Sequence, residues 1–159
     1  MDSVDGLDDE DWSTVIDVNL TAPMKLMRSA KKLMKNTRSG GRILNVSSLY
    51  GVIGRANRHC YTATKSALSG VTRSAGLELA REGILVNAIA LGFILTDMTK
   101  SMLSPEERKS LEEVVPVSRM GKELEIARFS AFMVSDMNTY LVGQTIAVDG
   151  SITVSPGFS

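Results

Sequence analysis

Residues 45–65, NVSSLYGVIGRANRHCYTATK, decide the fold. Ile43, Leu44 and Val46 make an apolar strand that breaks at Ser47-Ser48. A loop with Gly51 and Gly54 follows, and then a helix carrying Tyr61 and Lys65. Those two residues are four apart, so they share a helix face and their side chains can meet. A phenol titrates near 10 in water, and a fixed positive charge beside it favours the phenolate. The pair is a proton-transfer device. Ser48, thirteen residues before Tyr61, adds a hydroxyl for a substrate oxygen. A bare YxxxK is a weak motif; the strand, the serines and the Gly loop in front of it give it context.

Upstream, Asp8 or Asp9 can cap a helix whose first turn holds Glu10 and Asp11. Trp12, Val15, Ile16 and Asn19 fall on one stripe, continued at helical spacing by Leu26, Met27, Ala30, Leu33 and Met34. Pro23 has no N–H, so the carbonyl of Asn19, its helical i−4 partner, is left free. A kink there can hold a water or simply face solvent. The helix is expected to stop near Lys35, before Ser39-Gly40-Gly41, and Arg42–Val46 to form a strand buried on both faces, as in a parallel sheet.

Downstream, a helix over His59–Arg81 carries Ala63, Ala67, Gly70 and Ser74 on one stripe and Leu68, Val71, Ala75 and Leu79 on the next. Gly83 ends it, and Ile84–Ala90 is the next strand. Strand, helix and strand make a βαβ unit, hence parallel and right-handed. Phe93–Leu103, with Met98 and Met102, reads as an apolar loop at the carboxyl end of that strand, where ligands bind in such sheets. Ser104-Pro105-Glu106-Glu107 starts a helix. A helix over Lys122–Met133, a last strand over Thr145–Val148 and a loose tail after Val154 complete three strands in all.

The 159 residues and 43% hydrophobic content suit one globular domain. A net charge of zero argues against a nucleic-acid partner. The charge is nonetheless segregated, with seven acids and no base in residues 1–17 and eleven Lys or Arg and no acid in residues 18–77. That is a solvated helix face or a basic patch for an anionic cofactor, carrier protein or membrane surface. Cys60 is the only cysteine, which suits a reducing compartment, the cytoplasm first and an organelle second. No signal peptide is visible, Ile84–Leu95 is too short to span a bilayer, and His59 alone supports no metal site.

The order strand, Ser-Ser, Gly loop, YxxxK resembles the short-chain dehydrogenase/reductase family. VNAIALGFILTDM, residues 86–98, resembles the segment around that family's next strand, and AVDGS, residues 147–151, its C-terminal strand and turn. The resemblance runs from about Trp12 to Ser151. It implies part of a doubly wound parallel α/β sheet (Rossmann-like) with helices on both faces, residues 1–159 being the C-terminal part of one such domain. It implies a catalytic set of Asn19, Ser48, Tyr61 and Lys65. Tyr61 would be the general acid or base, and Lys65 would steady its phenolate and hold the nicotinamide ribose. Ser48 would polarise the substrate oxygen, and Asn19 would anchor a relay water. Tyr61, Lys65, Gly92, Ile94 and Thr96 would contact NAD or NADP, Ile94 through its backbone and Thr96 through its hydroxyl. Leu91 stands where the family has Pro, and Ser151 where a second Gly is common. The family commonly builds dimers and tetramers from the two long helices.

A dinucleotide-binding sheet opens with a strand, a Gly-rich turn and a helix that holds the pyrophosphate. None precedes Trp12, and Gly40-Gly41 precedes a strand instead of opening a helix after one. Two readings follow. One is an NAD(P)-dependent oxidoreductase interconverting a carbonyl and an alcohol in its full-length form, on a hydrophobic substrate, an acyl-carrier-bound one included. The other is a catalytically inactive truncated fragment or a non-catalytic oligomer subunit. Dinucleotide titration separates them. A basic protein binding anions through Lys25–Arg42 is a third class, tested by heparin retention.

Overall fold

The sheet is set by its middle strand. In the computed structural model, which describes residues 3–35, 37 and 40–155, β1 (Gly41–Ser48) and β2 (Ile84–Leu91) run parallel for their full length. Gly41 lies opposite Ile84, and Ser48 opposite Leu91. The third strand, β5 (Thr145–Val148), pairs in parallel with the far side of β2, Ala88 opposite Thr145. The order is β1-β2-β5. Central β2 is covered on both faces, and Ile84, Val86, Ala88, Ile89 and Ala90 are fully buried. That explains its apolar run, interrupted only by Asn87, whose buried amide is paired with Leu141 and Gln144.

Two-faced burial does not hold for β1. Val46 is 55% exposed, because β1 is an edge strand and nothing among the described residues covers that position. Ile43 points the other way, into a cluster with Met27, Leu79, Ile84 and Val86. Those side chains come from α2 (Ala22–Met34), α3 (His59–Leu79) and β2, so both helices lie on one face of the sheet. Side chains alternate along a strand. Arg42 therefore faces the opposite side, where its Nε donates to the Asn138 carbonyl at 2.8 Å, just beyond α6 (Glu123–Val134). Helices thus cover both faces.

The first helical stretch is not one regular helix. α1 (Asp9–Ile16) starts as expected, with the Asp8 carboxylate accepting from Glu10 N–H at 2.8 Å and Asp11 N–H at 3.2 Å. Asp17–Thr21 then widens into a π-turn, in which Ala22 N–H reaches back to Asp17 O. Pro23 is the cause: a residue without an N–H cannot continue the i−4 ladder, and the wider turn absorbs the break. Lys31 ties α2 to the end of α3 through Glu78 at 3.0 Å and Glu82 at 2.8 Å.

α3 ends at Leu79, followed by a 3₁₀ turn to Glu82 and by Gly83 in the left-handed region at φ 75°. The stripe Ala63, Ala67, Gly70 and Ser74 faces outward, exposed or half-buried, whereas Leu68 and Leu79 are buried. Phe93–Leu103 is not a plain loop. It holds β3 (Ile94–Leu95) and α4 (Asp97–Met102), and β3 pairs in parallel with β4 (Gly121–Lys122). The chain therefore has five strands among the described residues, two of them only two residues long. α5 (Pro105–Val114) begins at the expected capping box, with Ser104 N–H donating to Glu107 at 2.8 Å and Glu107 N–H to Ser104 Oγ at 3.1 Å. Ile152–Val154 forms a 3₁₀ turn; Ser39 and residues 156–159 lie outside the described residues. No helix among the described residues is long and apolar enough to cross a membrane.

Candidate active site

Parallel strands bring their carboxyl ends to one edge of the sheet, and β1 delivers Ser47 and Ser48 there. The two hydroxyls have different work. Ser47 Oγ donates to the Lys65 carbonyl at 3.2 Å, tying the strand end to α3. Ser48 Oγ accepts from Tyr50 N–H at 3.2 Å, which leaves its own hydrogen free for another acceptor. Ser48, and not Ser47, is thus the one with a hydroxyl to offer.

Gly51 lets this loop close on the helix. A Cβ there would sit 2.8 Å from the Lys65 carbonyl oxygen and 2.8 Å from Ser47 Oγ. Ser66 Oγ adds a bond to Gly51 O at 3.2 Å. The glycine is visible in the sequence, but its partner is not, since Lys65 lies fourteen residues on.

One turn of α3 presents Tyr61 and Lys65 together. The Lys65 ammonium lies 5.5 Å from the centre of the Tyr61 ring, and Nζ donates to the Val46 carbonyl at 3.0 Å. Burial without an acidic partner lowers the Lys65 pKa from its ordinary value. Tyr50 packs edge-on against Tyr61, centroids 6.5 Å apart, and Arg55 lies 5.9 Å from the centre of the Tyr50 ring.

Asn19, in the π-turn, stands between two cavities. With Tyr61, Arg58 and Cys60 it lines one of about 380 Å³, and with Lys65 and Asn45 another of about 330 Å³. It thus shares one cavity with Tyr61 and another with Lys65. Ile94 and Thr96 do not share those cavities. Ile94 lines a separate one of about 190 Å³ with Phe93, Arg119, Glu125 and Asp149. Thr96 caps α4: its hydroxyl accepts from Thr99 N–H at 3.1 Å. Gly92 follows Leu91, the residue opposite Ser48, and its N–H donates to Val148 O at 3.1 Å. A Cβ at Gly92 would meet Asp149 Cα at 2.6 Å, so close packing against the β5 turn by itself requires glycine.

The family model described as Enoyl-(Acyl carrier protein) reductase, one of the short-chain dehydrogenase/reductase models, matches residues 2–153. The chain belongs to the short-chain dehydrogenase/reductase family. Among relatives in that family, the 3-oxoacyl-[acyl-carrier-protein] reductase FabG of Staphylococcus aureus (strain Mu50) is 41% identical over 144 residues, 91% of this chain and 58% of the relative. Two solved structures are similar. Acetoin dehydrogenase from Enterobacter cloacae superposes with a TM-score of 0.87 at 31% identity, covering 99% of this chain and 62% of that one. A gluconate 5-dehydrogenase from Burkholderia cenocepacia, solved with NADP and tartrate, gives 0.89 at 27% identity, covering 96% and 60%. The chain thus spans about three fifths of the length of the curated relatives it matches.

Proposed function

We propose that this chain supplies the catalytic part of an NAD(P)-dependent oxidoreductase that interconverts a carbonyl and an alcohol. The observation that carries the proposal is Lys65 Nζ 5.5 Å from the Tyr61 ring, at the strand edge where Ser48 has a free hydroxyl hydrogen. Ser48 donates to the substrate oxygen and holds it. The Tyr61 phenol gives that oxygen its proton in reduction and takes it back in oxidation. In its ammonium form Lys65, beside the phenol, favours the charged form of Tyr61 as the proton leaves. Asn19, lining a cavity with each of them, holds the water through which the proton is replaced from solvent.

The donor set also fits a nicotinamide dinucleotide, NADP or NAD, which supplies or accepts the hydride. Lys65 is a cation for ribose hydroxyls. Thr96, whose hydroxyl accepts from Thr99 N–H and is paired with the Thr99 hydroxyl at 3.3 Å, would turn that hydroxyl to the carboxamide, with Ile94 contributing backbone beside it and Gly92 the turn. The NADP bound by the Burkholderia cenocepacia neighbour makes NADP the first cofactor to try. The Staphylococcus aureus relative suggests a 3-oxoacyl thioester on an acidic carrier, which also suits the basic run Lys25–Arg42. The assembly proposed is a dimer or tetramer through α2 and the outward stripe of α3, in the reducing cytoplasm that the single buried Cys60 suits.

The test is fusion of this chain to the part of the Staphylococcus aureus reductase that it does not match. NADPH and NADH are titrated, and reduction of a short 3-oxoacyl thioester is followed by loss of cofactor absorbance. Cofactor-dependent reduction supports the proposal. Dinucleotide binding without turnover on any carbonyl substrate favours the non-catalytic subunit instead.

A further inference from the structure

The loop that carries Ile94 and Thr96 is held on its own side by the α4 cap, where the Thr99 hydroxyl donates to Ile94 O at 3.0 Å, and on the other side by a short ribbon. Its strand, β3, makes two residue pairs with β4, Ile94 with Gly121 and Leu95 with Lys122, plus the bond from Gly121 N–H to Phe93 O at 2.8 Å. A two-stranded ribbon of that length is marginal by itself. The two strands form a sheet separate from the main one and share none of its ladder. What fixes β4 therefore bears on where β3, and the capped turn after it, sits.

One carboxylate does this. Glu125, in the first turn of α6, accepts from Arg119 Nη1 at 2.8 Å and Nη2 at 2.7 Å in a two-pronged pair. The same group accepts from Lys122 N–H at 2.8 Å. Arg119 Nη1 also donates to Met120 O at 3.1 Å. Residues 119–122 are therefore wrapped around a single side chain on a rigid helix. At its other end β4 touches the loop closely: a Cβ on Gly121 would lie 2.8 Å from Ile94 Cδ1. An exposed ion pair of one contact contributes little. A planar two-bond fork combined with a backbone N–H is a geometric clamp.

We infer that Glu125 is a positioning residue for the cofactor loop: by pinning β4 through Lys122 N–H and Arg119, it holds β3, Ile94 and Thr96 where a nicotinamide carboxamide meets them. The inference rests on the reading of Ile94 and Thr96 given above.

Its test has two readouts on Glu125→Ala and Glu125→Gln. The first is amide hydrogen exchange in the 159-residue chain. Exchange over residues 93–96 and 120–122 should speed up by about tenfold in Glu125→Ala, and less in Glu125→Gln, which keeps an acceptor for Lys122 N–H. Exchange over residues 84–91 should not change. The second readout is the cofactor KM against kcat in the fusion described above. KM for the dinucleotide should rise by about tenfold while kcat stays within about twofold of the parent. Arg119→Lys keeps the charge and loses the fork, so it should fall between parent and Glu125→Ala in both. Unchanged exchange at residues 93–96 in Glu125→Ala overturns the clamp. So does an equal rise across residues 84–91, which would make Glu125 a general stability residue. Loosened exchange with an unaltered KM, in a parent that does bind dinucleotide, overturns the positioning role alone. A parent fusion that binds none overturns it together with the activity proposed above.

Discussion

Two glycines in one loop should respond differently to the same substitution, Gly51→Ala destabilising and Gly54→Ala not. Gly51→Ala places a Cβ 2.8 Å from the Lys65 carbonyl oxygen, 2.8 Å from Ser47 Oγ and 2.9 Å from the Lys65 carbonyl carbon. Two of those three atoms are helix backbone and cannot swing away. To reach ordinary contact the loop must retreat from α3 by roughly half an ångström. That strains the bonds from Ser47 Oγ to Lys65 O and from Ser66 Oγ to Gly51 O, each 3.2 Å. Overpacking of this kind costs about 1–3 kcal/mol. For a chain of this size that lowers the melting temperature by about 2–4 °C per kcal/mol. At Gly54 a Cβ would have no neighbour within 4 Å, so Gly54→Ala meets open space. It should be neutral, or stabilise by about 0.4–1 kcal/mol through lost freedom of the unfolded chain. Urea denaturation of the two variants and the parent reads the signs. In the fusion, Gly51→Ala should also reduce turnover more than Gly54→Ala, because Ser48 and Lys65 sit on the two sides of the strained contact. Equal stability of the two variants would refute the close packing of loop on helix.

Gly70→Leu should leave folding intact, since the nearest atom to a Cβ there is the mobile Arg73 Nη2 at 3.8 Å, yet shift sedimentation toward monomer; an unaltered oligomer would put the interface elsewhere. Asn87→Ala should lower the urea midpoint by an amount equivalent to about 1–3 kcal/mol, because the buried amide donates to Leu141 O at 2.8 Å and accepts from Gln144 N–H at 3.0 Å; a midpoint equal to the parent's would contradict this. Acid should act on Glu125 late. The Arg119 guanidinium first, and the Lys122 N–H second, hold its carboxyl down to about 2 from 4.5. A depressed folded-state value means that the stabilisation is complete above about pH 4.5 and fades as pH falls toward 2. Carboxyl carbon shifts should show Glu125 titrating near the lower value in the parent and moving up toward 4.5 in Arg119→Ala.

The parallel core was legible because its signals are long. β2 carries an apolar run broken only by Asn87, and α3 runs 21 residues between a turn and Gly83. β5 is found over the four residues read from the sequence, Thr145–Val148. The pair Tyr61 and Lys65 was legible for the same reason: helical spacing alone brings them to one face. What escaped was short or non-local. β3 and β4 are two residues each, below any periodicity, and each depends on the other from more than twenty residues away. The exposure of Val46 depends on sheet order, which a strand's own residues do not encode. Pro23 announced a break near Asn19, but the π-turn that resolves it is a choice of hydrogen-bond partner, Asp17 O, that no local pattern records. The division of labour between Ser47 and Ser48 likewise depends on where the Lys65 carbonyl falls in space.

The proposed chemistry turns on the Tyr61 hydroxyl moving the proton. Tyr61→Phe removes that hydroxyl and keeps the ring that packs edge-on against Tyr50 at 6.5 Å. The measurement is single-turnover reduction of a 3-oxoacyl thioester by the NADPH-loaded fusion, with Tyr61 and with Phe in its place. NADPH affinity and melting temperature should be kept while the reduction rate falls by about 10²–10⁴-fold. A Tyr61→Phe protein that reduces the thioester at close to the parent's rate would contradict it.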